Sequence, residues 1–342
     1  MASQFRNLVF EGGGVKGIAY VGAMKVLARE GLLEKIQRVG GTSAGAINAT
    51  MFALGYSHTE QRNILKSLDF NNFMDSEFGI FRDSSRLIEK FGWYKGNFFH
   101  EWIGKLIKKK LGDPNATFRD LRRADKPDLY VYGTNLSTRF GEVFSAEHTP
   151  RTRIADAVRI SMSIPLFFKA VRNARDDVYV DGGLLNNYPV KLFDREKYVK
   201  PARRKTMAVK TDYYEKENKV FLKTRPNASR YIYNRETLGL RLDSKQEIAV
   251  FRDGAEPAHC EIDDFFDYAK ALITTVIESQ GNAHLHDDDW QRTIYIDSLG
   301  VGTTDFDLSD AMKKKLENSG ATGTTEYLKW FNAAGSKPVN RP

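Results

Sequence analysis

The chain has 342 residues, 41% apolar and 28% charged, which is the balance of a soluble globular protein. With no apolar run of 18 residues and no basic-then-apolar leader in MASQFRNLVF, neither a membrane-crossing helix nor a cleavable signal is expected. One cysteine, Cys260, rules out an intrachain disulfide and fits a reducing compartment, while a net charge of +8 favours anionic partners such as lipid headgroups.

In chain order, FRNLVF (5–10) predicts a strand ending at the glycines of EGGGVKG. GIAYVGAMKVLARE (17–30) predicts a helix stopped by Gly31. EKIQRVGG (34–41) predicts a second strand and SAGAINATMFALG (43–55) a second helix. Strand–helix–strand–helix is the pattern of a parallel sheet in an α/β fold. Residues 57–127 read as a helical insertion. Ten aromatics fall between 70 and 102: Phe70, Phe73, Phe78, Phe81, Phe91, Trp93, Tyr94, Phe98, Phe99 and Trp102. The chain average of 12% would give about four. NFFHEWIGKLIKKKLG (97–112) places Phe99, Trp102, Ile103 and Leu106 on one helical face, with Lys105, Lys108 and Lys109 elsewhere. That pattern suits either a core helix with a solvated basic face or a helix that meets lipid.

Further strands are expected at 128–135, 141–146, 177–183, 205–212 and 292–300, and two helices at about 309–318 and 323–333. KPARRK (200–205) reads as an exposed basic run. No internal repeat or low-complexity linker appears, so one domain over 1–342 is the simplest organisation. No zinc-finger spacing or RNP motif accompanies the basic charge, so a nucleic-acid partner is not expected.

Gly12, Gly13, Gly14 and Gly17 follow a strand and open a helix, which matches the dinucleotide pattern G-x-G-x-x-G. That fingerprint wants an acid at the end of the second strand, where this chain has GGTSAG. A Walker A loop fails as well, because Ile18 and Ala19 stand where Lys and Ser/Thr belong. The loop's other uses are to aim backbone N–H groups at a developing oxyanion, or merely to let strand and helix pack closely.

Ser43 sits in G-x-S-x-G (41–45), the form of a nucleophile elbow, where glycines let strand and helix backbones nearly touch. A serine needs a base. None of the histidines (His58, His100, His148, His259, His284, His286) lies beside a glycine-rich strand end. His284 and His286, in NAHLHDDDW, read as a solvated loop and a weak candidate for a metal. Asp181 does end an apolar strand, in VYVDGG, although an Asp-Gly pair is commonly just a turn.

Taken together and in this order, GGGVKG, GTSAG and DGG resemble the patatin-like phospholipases. SMSIPLFF (161–168), TLGLRLD (237–243) and DFDLS (305–309) extend the resemblance to bacterial members. It implies a three-layer α/β/α fold with a mostly parallel central sheet. It also implies a serine lipid acyl hydrolase of phospholipase A or lysophospholipase type, with no metal or organic cofactor. Ser43 and Asp181 would form a Ser–Asp dyad, and the amides of Gly12, Gly13 and Gly14 an oxyanion hole. Lys16 would scaffold the loop or attract a lipid phosphate. The partners implied are a phospholipid or lysophospholipid and an anionic membrane contacted peripherally, with no activating partner legible. The location would be cytoplasmic or peripheral to a membrane, or that of an effector exported without a cleavable signal. The alternative is a binding or signalling module on the same fold with little hydrolytic activity.

Overall fold

A computed structural model describes residues 4–73, 91–244, 261–285 and 288–333, with Gly254, Glu256 and His259 as isolated positions. Phe78, Phe81, Cys260 and His286 lie outside the described residues. The first half runs β1 (Asn7–Phe10), α1 (Ala19–Arg29), β2 (Arg38–Thr42), α2 (Ala44–Ala53), α3 (His58–Ser67), β3 (Gly92–Tyr94), α4 (Asn97–Leu111), α5 (Phe118–Arg123), β4 (Asp128–Asn135) and β5 (Phe140–Ser145). There follow α6 (Ile154–Ser161), β6 (Leu166–Phe168), β7 (Val171–Arg172), β8 (Val178–Asp181), α7 (Gly183–Asn186), α8 (Arg204–Met207), β9 (Ala208–Val209) and α9 (Asp212–Thr224). The chain continues through β10 (Tyr233–Asn234), β11 (Thr237–Asp243), α10 (Phe265–Leu285), β12 (Thr293–Asp297) and α11 (Asp310–Asn332).

The central sheet has the order β12-β11-β1-β2-β4-β8-β7, with β5 also paired to β4. β12, β11, β1, β2 and β4 run parallel, and β5 and β8 run antiparallel to β4. A parallel sheet must be covered on both faces, so its strands carry apolar residues on both. In β1, Leu8 and Phe10 join the main core; Val9 points the other way, into a cluster with Tyr130, Phe193 and Tyr198. The architecture is the three-layer α/β/α sandwich expected from the sequence.

Several elements depart from expectation. Residues 205–212 are not a strand: a helical turn ends at Met207 and only Ala208–Val209 pair, with Tyr233–Asn234. The two C-terminal helices are one, α11, running through Gly320 and Gly323. Those glycines are contact points, not breaks. A Cβ on Gly320 would lie 1.9 Å from Ala19 O in α1, and one on Gly323 would lie 2.4 Å from Tyr295 O in β12. His284 lies in the last turn of α10 instead of standing in a loop. β11 was missed among the strand candidates; it is buried along its whole length despite Arg241 and Asp243. α4 is a core helix: Phe99, Ile103 and Ile107 are buried, Trp102 packs at an angle against Phe99 and Phe73, and Lys105, Lys108 and Lys109 are exposed.

Residues 195–235 form a separate layer at the N-terminal edge of the sheet. Arg38, at the start of β2, donates to Tyr198 O, and Arg203 pairs with Glu236 just before β11. Buried Asp194 holds Arg292, just before β12, through two hydrogen bonds of 2.6 and 2.7 Å. This layer contains thirteen Lys and Arg against four Asp and Glu, a net +9 in a chain whose total is +8.

Candidate active site

β2 and β8 both lie against β4, but on successive lengths of it. Thr42, the last residue of β2, is opposite Tyr132; Asp181, the last of β8, is opposite Gly133. The two strands run in opposite directions, so their C-terminal ends meet. Ser43 follows Thr42 directly, and the register therefore sets it against Asp181, although 138 positions separate them in sequence.

Ser43 has φ 54° and ψ −127°, a left-handed backbone on a residue with a Cβ. Such a conformation costs on the order of 1–3 kcal/mol and persists only when its surroundings enforce it. They do so here. The Ser43 amide donates to Ser161 Oγ at 2.9 Å, and that hydroxyl donates to Tyr132 O at 2.7 Å. A Cβ on Gly41 would lie 2.5 Å from the Gly45 carbonyl, and one on Gly45 would lie 2.4 Å from Phe10 O. Only glycines permit a turn this tight. Ser43 occupies the N-cap of α2 without using its side chain as a cap, so its hydroxyl is left for chemistry. That hydroxyl points to Met162 Sδ at 3.6 Å.

Asp181 is 1% exposed and Ser43 4%. Asp181 Oδ1 accepts the Gly183 amide at 2.7 Å, while Oδ2 is buried with no fully formed hydrogen bond. Burial pushes the carboxyl up to about 7, against the opposing pull of the Gly183 amide and the nearby Ser43 hydroxyl. A carboxylate poised near neutrality suits a general base. Its strand is held from behind. The Asp181 amide donates to Ser163 O at 2.8 Å, and buried Arg159 donates to Ser163 Oγ and to the carbonyls of Lys95 and Lys169.

The glycine loop closes the site on the β1 side. A Cβ on Gly12 would lie 3.1 Å from Ser43 Cβ. The Gly12 amide is already engaged, donating to Asn187 O at 3.0 Å, and the Val15 amide donates to Thr303 O at 3.2 Å. The amides of Gly13 and Gly14 donate to no group among the described residues. Gly14 is left-handed at φ 55°, and a Cβ there would lie 1.9 Å from Thr303 O. Lys16 is half-buried beside the loop, its amide on Gly13 O at 3.1 Å and its charge close to Glu11.

The sequence reading missed a polar support under this loop. Glu11 is buried, donated to by the Leu242 amide at 2.7 Å, and pushed up to about 8, burial outweighing the attraction of Arg241. Arg241 pairs with Asp243 at 2.9 Å. The signal available was an Arg and an Asp two apart inside an apolar run, on one face of β11. Three of the described histidines have other settings: His100 Nε2 is 2.9 Å from Asp156 Oδ1, His148 Nδ1 is 2.8 Å from Ser145 Oγ, and His58 begins α3.

The sequence profile of the patatin-like phospholipases matches residues 8–194. The chain is similar to YqhO of Bacillus subtilis, with 33% identity over 94% of this chain and 97% of that protein. It is also similar to R571 of Acanthamoeba polyphaga mimivirus, with 36% identity over 56% of this chain. A probable lipid hydrolase, 463L of Invertebrate iridescent virus 6, is 23% identical over 55% of it. These alignments span less than two thirds of either viral protein, 62% and 63%. Among solved structures, VipD from Legionella pneumophila shares the fold with a TM-score of 0.56 at 18% identity, over 95% of this chain and 67% of that one.

Proposed function

The chain belongs to the patatin-like phospholipase family, a family of lipid ester hydrolases, and from that premise we propose that it is a serine acyl hydrolase of phospholipase A or lysophospholipase type, with Ser43 as nucleophile and Asp181 as general base. The observation that carries this reading is the meeting of β2 and β8, which leaves a strained serine beside a buried carboxylate with one unfilled oxygen. Ser43 Oγ attacks the ester carbonyl carbon as its proton passes to Asp181. The carbonyl oxygen becomes an oxyanion, facing the unengaged amides of Gly13 and Gly14. Gly12, whose amide is occupied, contributes the close approach of its backbone to Ser43. Collapse expels the alcohol of the lipid, which takes the proton back from Asp181, and leaves the acyl group on Ser43. Water then attacks the acyl-enzyme as its proton passes to Asp181; the acyl–Oγ bond breaks, Ser43 Oγ takes that proton back from Asp181, and the fatty acid leaves.

The substrate is a phospholipid or lysophospholipid presented at a membrane surface. Among the described residues no helix is long and apolar enough to cross a membrane. Hydrolysis of p-nitrophenyl fatty-acyl esters tests the reading. Turnover by the wild type, lost in both Ser43→Ala and Asp181→Asn with folding intact, is the expected result. Turnover that survives Ser43→Ala overturns it. No turnover of soluble esters or of lipid vesicles by the wild type would leave the fold serving as a binding or signalling module.

A further inference from the structure

We infer that Asn187 is a positioning residue that aims the oxyanion donors, a proposal that rests on the Ser43–Asp181 reading. Asn187 lies just beyond α7, half-buried, at the end of the DGGLLNN run that begins with Asp181. It holds Gly12 twice. Its backbone carbonyl accepts the Gly12 amide at 3.0 Å, and its Nδ2 donates to the Gly12 carbonyl at 3.3 Å. Nδ2 also lies 3.4 Å from Glu11 Oε1. The side-chain oxygen stands where a Cβ on Gly12 would come, 2.3 Å away, and 2.9 Å from where one on Gly183 would come. Asn187 is thus wedged between the loop that carries the free amides and the turn that carries the base.

The consequence follows from peptide geometry. The carbonyl of Gly12 and the N–H of Gly13 belong to one planar trans peptide, so they point in opposite directions. Fixing the Gly12 carbonyl with Nδ2 fixes the direction of the Gly13 N–H, on the far side of that plane. A glycine loop has no side chains to restrain its peptide planes, so without this donor the plane can turn. An oxyanion donor works only when it is aligned before the charge develops. Asn187 never touches the reacting atoms; it acts through the Gly12–Gly13 peptide. The same residue ties the donor loop to the segment after Asp181, so base and oxyanion site keep their spacing as one unit.

The test compares Asn187→Ala and the isosteric Asn187→Asp with wild type and Ser43→Ala. The readouts are kcat and KM on a p-nitrophenyl ester, phosphonylation of Ser43 by an alkyl fluorophosphonate, and thermal unfolding. Both Asn187 variants are expected to lose about 100-fold in kcat, with KM within about twofold, because a misaimed donor is felt when charge develops. Phosphonylation should slow in parallel, since it builds charge on an oxygen at the same place. Asn187→Asp keeps the size of the side chain but cannot donate while ionised, so it separates donation from packing if Asn187→Ala unfolds. Wild-type kcat in Asn187→Asp, with Ser43→Ala inactive, overturns the positioning role and leaves the dyad standing. A loss confined to KM, or equal to the fall in folded fraction, overturns it too. Full activity in Ser43→Ala would instead remove the underlying reading.

Discussion

Replacing Asp181 with Asn should make the protein more stable at alkaline pH and inactive at every pH. The carboxyl titrates near 7 in the folded chain against 3.8 for an unperturbed aspartate, and burial is the main cause. Because the folded value is the raised one, the unfolded chain loses this proton first as pH rises. Ionisation therefore favours unfolding between pH 4 and 7. At about 1.4 kcal/mol per unit of displacement, the buried carboxylate costs on the order of 4 kcal/mol above pH 7 and nothing below pH 4. Asparagine can still accept the Gly183 amide and carries no charge, but its amide nitrogen cannot accept the Ser43 hydroxyl as a carboxylate oxygen can, a loss of about 1–3 kcal/mol. The variant should be about 2 kcal/mol more stable than wild type at pH 8 and less stable at pH 4.5. Urea unfolding of both proteins at the two pH values measures this. A stability difference that does not change with pH would refute the reasoning. On the proposed role of Asp181, kcat/KM of the wild type should rise with pH through about 7, as this carboxyl ionises.

Three further outcomes follow from the geometry. Ser43→Gly and Ser43→Ala should both be inactive, with Ser43→Gly more stable than Ser43→Ala by about 1 kcal/mol in urea unfolding, since glycine relieves the φ of 54° but loses more chain entropy. Gly45→Ala should cost about 3 kcal/mol in urea unfolding, because its Cβ meets two backbone oxygens, those of Phe10 and Glu11, at 2.4 and 2.5 Å. In α4, changing Lys105, Lys108 and Lys109 to Gln should leave the melting temperature unchanged, while Phe99→Ala should cost about 3–5 kcal/mol; the reverse order would mean that the helix faces outward.

The elements that build the site were legible because their constraints are local. A glycine on each side of Ser43, and an apolar run ending at Asp181, are needed by the turn and the strand themselves. Their meeting was not local: it depends on β4 pairing with β2 at Tyr132 and with β8 at Gly133, a register that no single segment records. The division of the loop's amides was hidden for the same reason, since Gly12 is engaged by a residue 175 positions away. Gly320 and Gly323 misled the reading because a glycine that admits a neighbouring backbone looks in sequence like one that ends a helix. β11 was overlooked because Arg241 interrupts its apolar run, and the carboxylates that neutralise Arg241 are Asp243 beside it and Glu11 from a distant strand.

The basic layer at residues 195–235 gives the molecule an electrical orientation. Ser43 and the glycine loop lie past the C-terminal ends of β2 and β1, whereas Arg38, Glu236 and Arg292, which anchor the layer, mark the opposite edge. Since the layer's +9 exceeds the whole chain's +8, the rest of the protein is close to neutral. A negatively charged surface therefore exerts a torque as well as an attraction, turning the cationic end toward itself and the end that carries Ser43 toward bulk water. At low ionic strength such a surface would hold Ser43 facing away from it, and salt, by shortening the reach of the field to about 8–10 Å, would free the molecule to turn over.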